Sequence, residues 1–93
     1  MLISFGDKKT KKIWEGVREK SFSTNFQEIA RRKLRMLNNS QNLKDLHVPP
    51  SNRLEKLKEN LNNFYSIRVN NQWRIIFKWK NGNAENVEII DYH

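Results

Sequence analysis

The spacing of apolar residues changes once along this chain, and the change divides its 93 residues into a helical part and a β part. In the first part Ile13, Trp14 and Val17 fall at i, i+1 and i+4, which predicts a basic amphipathic helix over residues 8–20. Phe26, Ile29, Ala30, Met36 and Leu37 then recur at helical spacing, with Arg31, Arg32 and Arg35 on the other side. A capping box of Thr24 and Gln27 opens this second helix, with Asn25 and Glu28 the alternative one residue on; Asn38-Asn39-Ser40 closes it.

Residues 41–51 form a loop stiffened by Pro49-Pro50, and beyond it the period drops to two. Strands are predicted over residues 53–58, 64–69, 73–80 and 84–92. Hairpin turns fall at Asn70-Asn71 and Asn81-Gly82, and the Asn-Gly pair favours a type I′ turn. Leu2-Ile3-Ser4-Phe5 adds a short first strand ended by Gly6-Asp7. The expected architecture is one α+β domain over residues 1–93: an N-terminal short strand and a two-helix hairpin packed on one face of a mostly antiparallel sheet. Alternation assigns the faces. Tyr65, Ile67 and Val69, with Trp73, Ile75, Phe77 and Trp79, face the helices; Arg68, Arg74, Lys78 and Lys80 face away.

The open face is therefore basic, in keeping with a net charge of +8. Such a charge favours nucleic acid first, an acidic protein second and an anionic membrane surface third. The absence of cysteine excludes a disulfide framework, a thiolate nucleophile and Cys-type zinc sites, and two histidines cannot build a His-rich metal site. Three glycines form no phosphate-binding loop. The apolar start is too short, and too soon followed by Lys8 and Lys9, for a signal peptide, and no apolar run reaches membrane length; the cytoplasm is the expected location.

Arg74 stands out because Trp73, Ile75 and Ile76 surround it, which predicts a partly buried guanidinium held in place. Arginine presents a planar fork of donors that grips phosphate oxygens. Asp91-Tyr92-His93 follows directly on the last strand, so a carboxylate, a phenol and an imidazole are anchored together. An imidazole beside a carboxylate exchanges protons near neutral pH. RNA carries its own nucleophile, the 2′-hydroxyl, so cations and proton carriers are the ingredients of a ribonuclease site that requires no metal or other cofactor. Trp14, Phe26, Trp73, Phe77 and Trp79 read as core packing, whereas Phe64, Tyr65 and Tyr92 lie where a base could stack. Ser66 lacks the surroundings of an activated nucleophile, and His47 reads as a solvated loop residue.

At these residues the chain resembles the HigB toxins, also called plasmid maintenance system killer proteins, of the RelE/ParE superfamily. The resemblance runs over nearly the whole chain. It is most specific in Pro49-Pro50-Ser51-Asn52-Arg53-Leu54-Glu55-Lys56-Leu57-Lys58, in the stretch from Tyr65 through Arg74 to Ile75, and in Val87-Glu88-Ile89-Ile90-Asp91-Tyr92-His93. It implies a RelE-like fold and a toxin that enters the ribosomal A site and cleaves translated mRNA. It also implies a HigA-like helix-turn-helix antitoxin as partner. By position Lys58, Arg74, Asp91, Tyr92 and His93 match the family's functional residues. Glu55-Lys56 stands where some members carry His-Pro, whose histidine is implicated in catalysis, and Glu55 becomes a candidate base in its place. Arg53, Arg68 and Lys78 are the expected RNA-binding cations. Two other readings share the basic charge: a ParE-like poison of DNA gyrase, and a basic binding module without catalysis.

Overall fold

Asn81 and Gly82 adopt φ of 53° and 79°, the paired left-handed conformation of a type I′ turn. They join strands that the computed structural model, which describes residues 1–91, places side by side with Lys80 opposite Asn83. Among the described residues the sheet has four strands, β1 (Glu55–Lys56), β2 (Phe64–Arg68), β3 (Trp73–Lys80) and β4 (Asn83–Asp91), in the order β1-β2-β3-β4 and all antiparallel. The β2–β3 turn is closed by the Asn70 side chain, whose Oδ1 accepts from the amides of Gln72 (2.9 Å) and Trp73 (2.8 Å).

Strict alternation fails once, in β4. Ile76 lies opposite Glu88 but Lys78 opposite Glu85, so β4 uses three residues where β3 uses two. The extra residue is Asn86, at φ 52°. Ala84 and Val87, of opposite parity, are consequently both buried against the helices together with Ile89. Ser4 supports the bulge, its Oγ accepting from the Asn86 amide at 2.8 Å. The expected N-terminal strand appears as two parallel bridges to β4, Leu2 with Ala84 and Phe5 with Val87. Where it ends, the buried Thr10 hydroxyl accepts the Ile89 amide at 2.9 Å and closes that edge.

Helices α1 (Lys8–Glu15) and α2 (Thr24–Asn39) cover one sheet face and bury Ile13, Phe26, Leu34 and Leu37 over Ile67, Ile75 and Ile89. The expected α1 boundary at residue 20 is wrong. Gly16 takes φ 81°, and the amides of Gly16 and Val17 bond back to Ile13 (3.1 Å) and Lys12 (2.9 Å), which ends the helix at Glu15. Val17, assigned to the apolar stripe, is exposed as a result. The capping box of Thr24 and Gln27 is also corrected, because Ser23 is the cap and its Oγ accepts from the Phe26 amide at 3.1 Å. Gln27 instead lies buried beneath the α1–α2 connection, where its Oε1 accepts from the Glu19 amide at 2.9 Å. Arg31 locks the hairpin by donating to the Ile13 carbonyl at 2.8 Å.

The strand expected over residues 53–58 is reduced to Glu55–Lys56. Arg53 at φ 45° and Glu59 at φ 59° cannot continue a ladder, and Arg53 caps the 3₁₀ turn Pro50–Asn52. A second 3₁₀ turn, Leu43–His47, fills the loop before it. Asn52 pins both turns. It is fully buried and donates to the carbonyls of Leu46 (3.1 Å) and Val48 (3.3 Å), while its Oδ1 accepts from Lys33 Nζ at 2.6 Å. Asn52→Ala leaves these buried groups without partners and should cost about 1–3 kcal/mol of stability. Urea unfolding with an unchanged m-value checks this, and a midpoint equal to that of the wild type would show that the loop does not depend on Asn52.

Candidate active site

The centre of the open face is Arg74. It lies on β3 between Arg68 of β2 and Ile90 of β4, and its parity is opposite to that of Trp73 and Ile75. Its side chain is only 11% exposed, as the surrounding apolar residues predict. A guanidinium so far out of water needs partners. Glu55 Oε1 stands 2.8 Å from Nη1, the Ser66 hydroxyl accepts at 3.1 Å and the Arg53 carbonyl at 3.4 Å. Ser66 is completely buried, whereas the Glu55 side chain is 45% exposed. The guanidinium is thus anchored from within the sheet and meets solvent beside a carboxylate.

β1 exists in the register that makes this contact possible. Glu55 faces Ser66, and Ser66 faces Ile76, so Glu55 reaches Arg74 diagonally across β2. Arg68 sits directly opposite Arg74, and its guanidinium donates to Asn71 Oδ1. Like charges opposed across a strand pair are destabilising, and an anion between them removes the repulsion. Lys33 of α2 adds to the same field. Burial first, and the Arg68 charge second, hold the Lys33 ammonium below its ordinary pKa of 10.5.

The expected site residues fall in two groups and a remainder. Arg53, Glu55, Arg68 and Arg74 come together at one end of the open face. Lys78 lies four residues further along β3, on the order of 13 Å away at strand spacing, with its Nζ 5.3 Å from the centroid of the Phe64 ring. Lys58 is exposed near that far end, following Leu57, whose amide bonds the Phe64 carbonyl at 2.9 Å. Asp91 lies opposite Trp73, and the register therefore sets it on the helix-side face, away from that of Arg74; its Oδ2 accepts from Gln72 Nε2 at 3.2 Å. Tyr92 and His93 lie outside the described residues. Ser66 and Lys33 had no place in the sequence-derived site. Parity could have found Ser66, which shares the face of Arg68, but nothing local ties Lys33 to a strand.

This fold and this chain have relatives. The sequence matches, over residues 3–93, the family described as RelE-like toxin of type II toxin-antitoxin system HigB. It is 39% identical over 94 residues to Toxin HigB-1 of Vibrio cholerae serotype O1, an alignment covering 100% of this chain and 98% of that protein. An uncharacterized protein of Haemophilus influenzae is 43% identical over 70 residues, covering 75% of this chain and 68% of its own length. The fold is shared with the toxin in the YoeB-YefM toxin-antitoxin heterotetramer of Staphylococcus aureus at a TM-score of 0.64 and 16% identity, over 100% of this chain and 98% of that one. The YoeB dimer of the same organism aligns at a TM-score of 0.59 and 17% identity, over 99% and 94% of the two chains. The architecture is that of a RelE-like toxin. The chain belongs to the HigB family of RelE-like toxins of type II toxin-antitoxin systems. Among the described residues no helix is long and apolar enough to cross a membrane.

The burial of Lys33, reinforced by the Arg68 charge, has a measurable consequence. Because the folded state lowers the Lys33 pKa, the native protein binds fewer protons than the unfolded chain between that lowered pKa and 10.5. Stability should therefore gain from Lys33 as pH rises through this window, whereas at neutral pH the charged ammonium weakens the fold. Lys33→Gln should remove that alkaline contribution in a melting-temperature series against pH; the same pH slope in both proteins would contradict it.

Proposed function

We propose that this toxin is a ribosome-dependent endoribonuclease that cleaves translated mRNA. The observation that carries the reading is the Arg74 guanidinium, 11% exposed, anchored on Ser66 and Glu55 and opposed by Arg68. A phosphodiester entering this face meets two opposed arginines, one of them already beside the Glu55 carboxylate. The substrate 2′-oxygen forms a bond to the adjacent phosphorus and the bond from phosphorus to the 5′-oxygen breaks, leaving a 2′,3′-cyclic phosphate and a 5′-hydroxyl. One group must take the 2′-proton and another must give a proton to the leaving oxygen.

In this reading Arg74 stabilises the charge of the transition state, with Arg53 or Arg68 assisting, and Lys58 and Lys78 hold RNA further along the face. His93 handles protons and Tyr92 orients or stacks on a base; Asp91, expected to share the proton work, lies on the face of Trp73 and is left out of it. Glu55, already 2.8 Å from Arg74, is the candidate base beside the phosphate site. Dependence on the ribosome fits a chain with few titratable groups here, since ribosomal RNA in the A site aligns the substrate. The partner is a HigA-like helix-turn-helix antitoxin. The shared family and the YoeB-YefM assemblies of the distant fold relatives support an antitoxin partner. All of these steps take place in the cytoplasm.

Induction in cells followed by primer extension on mRNA tests the reading. Cuts inside translated frames are expected, gyrase-linked DNA breaks would replace the reading by a ParE-like one, and neither would leave a binding module. Arg74→Ala should lose roughly 10²–10³ in cleavage rate with the fold retained, and Lys in its place should rescue only partly. Wild-type toxicity at wild-type expression would remove Arg74 from the site.

The base is assigned by a parallel pair. His93→Gln should lose on the order of 10²-fold or more in rate. Activity kept in His93→Gln but lost in Glu55→Gln would make Glu55 the base. A chain lacking residues 91–93 that cleaves like the intact protein would remove the C-terminus from catalysis.

A further inference from the structure

At the far end of the helix-side face two aromatic side chains packed against the core remain partly open. Register aligns Lys56, Tyr65 and Phe77 across β1, β2 and β3, and Trp79 follows on the same face. Phe77 is wholly buried, but Tyr65 and Trp79 are only half-buried. Tyr65 stacks with Phe77 at 6.1 Å between centroids and 27° between planes, and Phe77 meets Trp79 edge-on at 6.3 Å and 73°. The two outer rings border an open cleft of about 400 Å³ whose other walls are Lys56, Asn63, Lys78 and Lys80, with Glu85 the single acid. That volume lies within the range of about 300–1,000 Å³ usual for sites that hold compact organic ligands.

The geometry points to this cleft as a nucleotide-binding site for single-stranded RNA, taking one base against Tyr65 and Trp79 and its phosphates on the lysines. Aromatic surfaces beside cations are how proteins hold single strands without reading their sequence. The balance of three lysines against one glutamate favours a polyanion over an acidic ligand of low charge density. The position supports the same conclusion. Lys78 belongs both to the cleft and to the open face, and lies on the order of 13 Å from Arg74 along β3. A strand whose scissile phosphate sits at Arg74 passes over Lys78 and turns around the short β1 edge into the cleft. The inference rests on the ribonuclease reading for the direction of the strand, but the cleft binds RNA whether or not Arg74 cleaves it.

The test uses the intact protein and a 2′-O-methylated single-stranded oligoribonucleotide, which lacks the nucleophile and so reports binding alone. The double variant Lys56→Gln/Lys80→Gln changes two exposed side chains outside the catalytic group. It should bind roughly tenfold more weakly, and the slope of log affinity against log salt should flatten by about 1.4 units, since each of the two lost phosphate contacts on a single strand contributes about 0.7. Binding should quench tryptophan emission in the wild type, and Trp79→Phe, which retains a ring, should lose most of that quenching while keeping most of the affinity. Wild-type affinity and salt slope in the double variant would overturn the proposal, as would quenching that survives Trp79→Phe. So would a double variant that binds the oligonucleotide normally but loses its antitoxin, because the cleft would then be a protein-docking surface. Failure of these arms with ribosomal cleavage intact rejects the cleft alone; binding intact with no cleavage by the wild type rejects the ribonuclease reading alone. Pelleting with ribosomes separates the sources: a defect on ribosomes lacking mRNA assigns the strand to ribosomal RNA, and a defect only on programmed ribosomes assigns it to mRNA.

Discussion

A guanidinium removed from most of its water is the demand around which the open face is organised. An unpaired buried charge costs several kcal/mol, far more than an exposed ion pair returns. Among the described residues Arg74 meets that demand with oxygens of different kinds, including a carboxylate from β1, a hydroxyl from β2 and the carbonyl of Arg53. The two-residue β1 is short for a strand, yet it is what brings Glu55 to bonding distance. The hydroxyl is wholly buried and holds the inner side of the fork, while the half-exposed carboxylate is open to exchange with another anion.

The same face is strained electrostatically. Arg68 opposes Arg74, and the Lys33 ammonium is disfavoured first by burial and second by the Arg68 charge. A surface selected only for stability would not set like charges opposite each other. Proteins tolerate such arrangements where function requires them, at some cost to the fold. Here the helix-side core of Ile13, Leu34, Ile67, Ile75 and Phe77, each wholly buried, compensates.

Register is the second constraint. A slip of one residue between β2 and β3 would turn Arg74 inward and Ile75 out to water. The type I′ turn at Asn81-Gly82 and the Asn70 side chain fix the two hairpins from their ends. The bulge at Asn86 then resets β4, so that Val87 faces the helices and Ile90 accompanies Arg74. On the other side Asn52 ties the loop to α2 through Lys33, and this sets where Arg53 and Glu55 emerge.

Much of this was legible in the residues themselves. The change of period separates two helices from the sheet, Asn81-Gly82 announces its turn, and β3 begins and ends where alternation puts it. Parity alone sets Arg68 and Arg74 on one face and the aromatic stripe on the other, because side-chain direction along a strand is a local property of the backbone. The boundaries that failed were decided by contacts that sequence spacing does not contain. Gly16 and Arg53 enter the left-handed region as caps, and Gln27 is recruited beneath a connection instead of closing a box with Thr24. The pairing of Glu55 with Arg74, the support of Ser66, the placement of Asp91 on the face of Trp73 and the proximity of Lys33 to Arg68 all join residues distant in sequence. Local pattern determined which groups could meet a phosphate; only the packed register, in which a buried cation must find its oxygens, decided which of them do.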